Sequence, residues 1–264
     1  MLRRLALGLL ASAISVDALP AVAQEGSADD LGVMSISLKD VVKPQVGFQS
    51  ALQGSGTPNQ AGIGGFLPLI VGDNSVVFAD VLANANFADF NNYSSLINTS
   101  VAGTTISTSS RLGYRWLNGE RSWMVGLNAG YDTRPMATGY ADTGISVNNR
   151  STVFFQQAAV NAEAVSDTWA FNAYALLPTG TKDALLNTMY QGSSLNTYGL
   201  DAGYNLSTEL QASVGYYYQH GDLNTADDSG VLGRLAYAIN NDLTVGTNLS
   251  YDEAIDTRFS ADIR

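Results

Sequence analysis

The sequence offers few side chains that could do chemistry, and the first is a single histidine. His220 is the only histidine in the chain, and Gly221 and Asp222 follow it. A serine nucleophile needs a base within hydrogen-bond reach. Ser229 and several asparagines are present, but no histidine and serine stand at short spacing. We therefore interpret His220 as a loop residue, and we expect neither catalytic residues nor enzymatic activity.

Acidic residues beside this histidine raise the question of a metal site. Asp222, Asp227 and Asp228 could hold calcium, because clustered carboxylates suit hard cations. They lack the spacing of a calcium-binding loop, so a solvated acidic loop is the better interpretation. The chain has no cysteine, which with one histidine argues against zinc or copper. We expect no bound metal.

A glycine-rich stretch, AGIGG at residues 61–65, invites comparison with nucleotide-binding loops. It lacks the G-x-G-x-x-G order, and no helical pattern follows it. Its glycines are better explained as strand or turn glycines. We expect no cofactor.

The N-terminus has the pattern of a secretory signal peptide, with a boundary after residue 23. Arg3 and Arg4 form its basic start, residues 5–16 are apolar, and Ala21-Val22-Ala23 precede Gln24. The apolar stretch is shorter than the roughly 20 residues of a spanning helix. The formal charge is −11, and cleavage makes it more negative. An acidic protein of this kind is not expected to bind nucleic acid.

The elements that would position any site are β-strands. After a short lead-in at 24–43, taken to be periplasmic, residues 44–264 alternate between apolar and polar side chains. The connections after even-numbered strands are short, and most of those after odd-numbered strands are longer, as in an outer-membrane barrel. We expect an all-β, antiparallel, up-and-down transmembrane barrel with about twelve strands, near 44–53, 60–71, 75–88, 104–117, 121–132, 151–165, 168–178, 196–206, 209–219, 229–239, 243–252 and 256–263.

The two faces of these strands differ in charge. In residues 121–134, RSWMVGLNAGYDTR, the bulky apolar residues share one face and small polar residues share the other. A Lys or Arg facing lipid at mid-bilayer costs about 2–4 kcal/mol, so strand charges should face the lumen. Cross-strand bracing by these charges is favoured over ion selectivity, since opposite charges partly cancel. The expected lumen charges are Asp80, Arg111, Arg115, Asp132, Glu163, Asp201, Arg234, Asp252, Arg258 and Asp262.

Aromatic residues concentrate at the strand ends on the apolar face. Tryptophan and tyrosine at both rims form the belts that anchor membrane barrels at headgroup level. The expected belt residues are Trp116, Trp123, Trp169, Tyr204 and Tyr237 beside the short turns, and Tyr131, Tyr216, Tyr218 and Tyr251 beside the longer loops.

One hairpin resembles a known family. Residues 112–116 read LGYRW, Asn118-Gly119 mark a tight turn, and 123–132 read WMVGLNAGYD. Together with FLPL at 66–69 and SVVFAD at 75–80, this resembles the translocator barrel of the inverse autotransporters, the intimin/invasin family. The similarity covers residues 62–135 and continues as strand spacing to the end.

The resemblance implies a twelve-stranded barrel in the outer membrane of a Gram-negative-type bacterium, inserted by the outer-membrane assembly machinery. It also implies protein secretion, in which a linker returns through the lumen and displays an adhesive passenger. This sequence departs from that pattern, because it stops at Arg264 without a linker or immunoglobulin-like repeats, and 24–43 holds no peptidoglycan-binding module. We therefore expect contact with outer-membrane lipid and an anchor or export pore for a surface segment. The alternative is a small passive, porin-like channel for small solutes, or a structural barrel.

Overall fold

The computed structural model describes residues 42–53, 59–87, 99–101, 105–142, 145–146, 148–188, 191–221, 228–240, 243–252 and 256–263. The predicted signal peptide, most of the lead-in, Asp222 and Asp227 lie outside this part. Twelve long strands form a closed barrel. They are β1 (Gln45–Gln53), β2 (Asn59–Val71), β3 (Ser75–Phe87), β4 (Thr105–Leu117), β5 (Met124–Met136), β6 (Val153–Val165), β7 (Trp169–Thr179), β8 (Asn196–Asn205), β9 (Leu210–His220), β10 (Asp228–Ala238), β11 (Thr244–Asp252) and β12 (Asp256–Ile263).

The strand order is the order of the sequence. Every barrel strand pairs antiparallel with its neighbours in the chain, and β1 closes the barrel against β12, with Ser50 opposite Ile263. This confirms the predicted fold class, an up-and-down barrel of twelve strands. Within the described residues, no helix has the length and apolar character needed to cross a membrane.

Five short strands that the sequence did not reveal lie between the barrel strands. Thr99–Val101, Thr138–Asp142 and Ile145–Ser146 form one small sheet, and Asp183–Leu185 pairs with Gln191–Ser193. Each has five residues or fewer, too few for alternation to stand out from the surrounding loop.

The turn between β4 and β5 differs from the tight Asn-Gly hairpin that the sequence suggested. The Oδ1 of Asn118 accepts the backbone N–H groups of Ser122 and Trp123 at 2.8 and 3.1 Å. Arg121 takes the positive φ of 55°, and Gly119 is not among the residues with positive φ. This wider turn places the start of β5 at Met124, three residues later than predicted.

The two faces of the barrel wall have opposite exposure. Outward side chains such as Leu127 (54% exposed) and Leu200 (64%) are open, whereas inward Phe78 (0%) and Asp80 (1%) are buried. A closed barrel leaves no unpaired sheet edge, and an exposed apolar exterior is stable against lipid. The protein is therefore an outer-membrane β-barrel, and its packed core is the lumen.

Candidate functional site: the barrel lumen

Glycines on the inner face make room for large side chains on the neighbouring strand. In the sheet register, Gly113 lies opposite Phe78, and Gly126 lies opposite Glu163. Gly199 faces Tyr174 in the same way, and a Cβ added to any of these three glycines would collide with the facing side chain. The small inner face of the β5 stretch is therefore the complement of bulky neighbours that fill the lumen.

One buried ion pair joins β4 to β6 across Gly126. The Nε of Arg115 donates to the Oε1 of Glu163 at 2.6 Å, and both side chains are almost fully buried. The guanidinium carbon lies 4.4 Å from the centroid of the Phe78 ring and 5.7 Å from that of Phe66. Arg115 therefore combines a salt bridge with cation–π contacts in a desolvated site.

A second pair lies nearer the long loops. Arg111 donates to both carboxylate oxygens of Asp132, at 2.5 and 2.9 Å. Ser109 and Gln157 donate to the same carboxylate at 2.6 and 2.9 Å. This fork-to-fork geometry satisfies a carboxylate that is buried in the barrel wall. The network ties β4, β5 and β6 together.

A third pair joins β10 to the last strand. The Nη2 of Arg234 donates to Asp262 at 2.9 Å, while its Nη1 donates to both Asp262 and Asn248. Asn248 in turn donates to Ser260 at 3.1 Å and to Asp262 at 2.9 Å. A Cβ at Gly246 would meet the guanidinium, so glycine leaves space for an arginine here as well.

The remaining charges expected in the lumen are only partly described. Asp80 and Asp201 are buried at 1% and 6% exposure, and Asn172 donates to Asp201 at 3.2 Å. The side chains of Asp252 and Arg258 lie outside the described part of the structure. In the sheet register, Asp252 is paired with Gly230 and Arg258 with Ser250.

One end of the lumen is apolar, which the sequence analysis did not foresee. We call it the short-turn mouth: the lumen end beside turns 72–74, 118–123 and 166–168. Two buried clusters line it, Phe66, Val76 and Phe78 in one, and Leu117, Val165 and Ala170 in the other. The expectation of a polar lumen therefore holds for the three ion-pair levels but not for this mouth. A clue was available, since Val76 and Phe78 share their face of β3 with Asp80.

The predicted belt aromatics are found on the outer side at both rims. Beside the short turns, Phe171 stacks on Trp123 (6.2 Å between centroids) and on Trp169 (5.8 Å), and Trp169 meets Tyr204 edge-on at 4.8 Å. Tyr114 stacks on Trp116 at 5.5 Å. The other predicted tyrosines on the outer face include Tyr131, Tyr216, Tyr237 and Tyr251, which are 41–50% exposed, and Tyr218, which is half-buried.

His220 ends β9 at the long-loop rim and is exposed. The register places it opposite Asn196, whereas Ser229 is opposite Tyr218. Histidine and serine therefore stand on adjacent strands without facing each other directly. Among the described residues, no group of three or more His, Cys, Asp or Glu could hold a metal.

Bulky aromatic side chains occupy the described part of the lumen. Phe66, Phe78 and Phe155 are at most 1% exposed, and Tyr217 is 5% exposed. In a water-filled pore the lining side chains would be in contact with water. These aromatic side chains instead have the burial of a protein core, while the inner Asn128, Asn161 and Asn172 are half-buried.

Comparison with known proteins supports the fold alone. No known protein family and no curated protein sequence matches the chain. One similar solved structure, from work named "Unveiling the Mechanism Behind the in-meso Crystallization of Membrane Proteins", has a TM-score of 0.58 at 14% identity, covering 83% of each chain. The KdgM porin in complex with disordered oligogalacturonate has a TM-score of 0.45 at 8% identity, covering 84% of this chain and 97% of the porin. Outer membrane phospholipase A from Escherichia coli has a TM-score of 0.43 at 16% identity, covering 82% and 87%.

Proposed function

We propose that this protein is a closed outer-membrane anchor, a barrel that holds its long-loop surface outside the cell without forming an open diffusion pore. The supporting observation is the burial of the inner face. Three ion pairs and several aromatic rings occupy the lumen with core-like burial. A barrel interior packed in this way stabilises the wall but offers no path for solutes.

The inverse autotransporter resemblance favours the same role. Its motif forms the β4–β5 hairpin, and Arg115 of that motif makes buried contacts with Glu163 and Phe78 in the lumen. Export of a passenger would require more. The chain leaves β12 at the short-turn rim, so any segment that followed would have to return through the filled lumen. We therefore infer anchoring as the function and treat export as a step that needs an opened barrel.

A conductance measurement tests the closed state. Purified protein in planar bilayers should show no sustained conductance steps. Truncating the filling with Phe78→Ala and Tyr217→Ala together should create steps, because both rings are buried in the lumen. The control variant, with the outward residues changed by Leu127→Ala and Leu200→Ala, should show no conductance steps. Steady conductance of the unmodified protein would contradict the anchor proposal.

A small passive channel is the second candidate, favoured by the charge of the lumen. Buried acidic side chains (Asp80, Asp132, Glu163, Asp201 and Asp262) outnumber the inner arginines whose side chains are described (Arg111, Arg115 and Arg234). If the barrel does conduct, a net acidic lumen should favour cations. Measuring the reversal potential in a potassium chloride gradient distinguishes the channel from the closed anchor. A channel gives a cation-selective reversal potential, whereas a closed barrel gives no current.

The export hypothesis has its own test. A folded reporter domain fused after Arg264 should stay on the periplasmic side if the lumen is closed. Added protease on intact cells should then leave the reporter uncut and cut it only after the outer membrane is permeabilised. Cleavage on intact cells would show surface display and support an export pore.

A further inference from the structure

One of the longer loops folds back onto the inner face of the barrel. The loop after β7 carries the two short paired strands Asp183–Leu185 and Gln191–Ser193. Directly after the first of them, Leu186 and Asn187 are 5% and 2% exposed, whereas Leu185 is 66% exposed. We call the two short strands and the described residues between them the loop hairpin. Its two sides differ as the two faces of a docked element do, with one side buried and the other open to water.

The buried side of the loop hairpin rests on Phe155, an inner residue of β6. Phe155 is 1% exposed and shares its strand face with Gln157, which donates to the Asp132 carboxylate inside the barrel. A Cβ added to Gly192 of the hairpin would lie 3.1 Å from the side chain of Leu186 and 3.1 Å from the ring of Phe155. The hairpin backbone, Leu186 and Phe155 therefore meet at one point, on the lumen side of the wall.

Hydrogen bonds hold the loop hairpin against the segment that leads into β6. The backbone N–H of Ser151 donates to the carbonyl of Leu186 at 2.9 Å, and its hydroxyl donates to the carbonyl of Leu185 at 2.8 Å. The N–H of Thr188 donates to the carbonyl of Asn148 at 3.3 Å. These bonds satisfy backbone groups of the loop, and the contact with Phe155 buries its apolar side. Together they fix the hairpin over the inner face of β6.

A glycine at the end of β7 directs the chain toward this position. Gly180 follows Thr179 and has a φ of 77°, in the left-handed region where other residues are strained. At the base of the hairpin, the N–H of Ser194 donates to the carbonyl of Lys182 at 2.8 Å. The chain can therefore leave the direction of β7 at Gly180, form the hairpin and return to the wall, where β8 begins at Asn196.

We propose that the loop hairpin is a strap that narrows the lumen at its long-loop end, docked through Leu186 on Phe155, and that its release widens this entrance. The long-loop rim is the cell-surface side of an outer-membrane barrel, so the strap acts on that side. Surface loops open at a lower free energy than core strands, and the strap can therefore be released while the barrel stays folded. The inference rests on the proposed closed barrel and adds a movable constriction at one end.

Thiol labelling of the full chain tests the docking, because the protein contains no cysteine. Leu186→Cys reports from the buried side of the loop hairpin, and Leu185→Cys reports from its exposed side. On intact cells, a membrane-impermeant maleimide should label Leu186→Cys at least about tenfold more slowly than Leu185→Cys, since labelling follows the open population. Phe155→Ala should remove most of this protection. The matched control, Phe154→Ala, removes the neighbouring outward ring, which is 53% exposed, and should leave the protection intact.

Equal labelling of the two reporters would overturn the docked strap, as would unchanged protection of Leu186→Cys in the Phe155→Ala background. Heat-modifiable gel mobility checks that each variant is folded. If Phe155→Ala does not fold, Gly192→Val crowds the same contact and should speed the labelling of Leu186→Cys. Unchanged protection in that background would also overturn the proposal.

Conductance tests whether the strap narrows the lumen. In barrels that carry Phe78→Ala and Tyr217→Ala, adding Leu186→Asp should increase the size of the conductance steps, because burying a carboxylate without a partner is costly and releases the hairpin. Leu185→Asp, on the exposed side, is the control and should leave the steps unchanged. No increase over this control would overturn the strap. Steady conductance of the unmodified protein contradicts the closed anchor, whereas labelling rates address the strap, so the two failures are distinguishable.

Discussion

The inner and outer faces of the same strands follow opposite rules. On β4, inward Arg115 is buried against Glu163 and Phe78, and outward Leu112 and Tyr114 are exposed. On the inner face, a bulky side chain often lies over a glycine of the neighbouring strand, which leaves room for it. On the outer face, the size of a side chain has little effect on stability, because lipid adapts to the protein surface. One face is thus specified by side-chain complementarity and the other only by polarity, and mutations on the two faces should fail for different reasons.

The largest effect is expected from breaking an inner ion pair. Glu163→Ala leaves Arg115 buried without its partner, which should cost about 3–5 kcal/mol. The free energy of unfolding from lipid vesicles in urea measures this loss. Glu120→Ala, in the exposed turn, is the control and should change stability by less than about 0.5 kcal/mol. Equal stability of the two variants would show that the inner face does not depend on this pair.

A charge on the outer face should have the next largest effect. Leu127→Arg places a guanidinium among the exposed apolar residues of mid-strand β5, at a cost of about 2–4 kcal/mol. Leu206→Arg puts the same charge beside the turn after β8, where the cost falls to about 0–1 kcal/mol. The same unfolding measurement compares them. A similar cost at both positions would argue against lipid contact at mid-strand.

Replacing glycine with valine tests the difference between the inner and outer faces without introducing a charge. Gly113→Val would collide with Phe78 inside the barrel, and overpacking of this kind costs about 1–3 kcal/mol. Gly233→Val adds the same side chain where nothing lies within 4 Å, so its cost should be near zero. Proteinase resistance of the folded band on gels gives a rapid readout. If Gly233→Val were the more harmful, the assignment of the two faces would be reversed.

The smallest effect is expected at the rim. His220→Ala should leave phospholipid hydrolysis at background and stability within about 0.5 kcal/mol, since an exposed rim residue contributes little. Hydrolysis of a fluorescent phospholipid in mixed micelles, with and without calcium, is the assay. Hydrolysis by the unmodified protein that His220→Ala abolishes would instead identify a catalytic site on the outer surface.

Most of the barrel strands could be predicted from the sequence, because the alternation of apolar and polar residues shows directly which face of a strand is polar. The prediction of twelve strands is confirmed, and Arg115 and Asp132, which it assigned to the lumen, are buried. The sequence did not predict which side chains form ion pairs across non-adjacent strands. Arg115 joins Glu163 two strands away, and this contact depends on the barrel register and on the gap that Gly126 leaves between them.

The apolar packing of the short-turn mouth was likewise not predicted from the sequence. Val42 has no distinctive sequence pattern, and its packing against the two buried clusters of the mouth arises only when the barrel closes. Local pattern therefore does not predict such features, because they come from groups far apart in the chain.

The sequence by itself determined that this chain forms an antiparallel membrane barrel with an apolar exterior, because period-two alternation and the cost of charge in lipid are local properties. Only the tertiary structure decided how the inner face is packed. The packing depends on how inner side chains from different strands meet, with Phe78 over Gly113, Glu163 over Gly126 and Arg234 beside Gly246. Each of these contacts is set by strand register and barrel closure, which bring together residues that no short stretch of sequence contains.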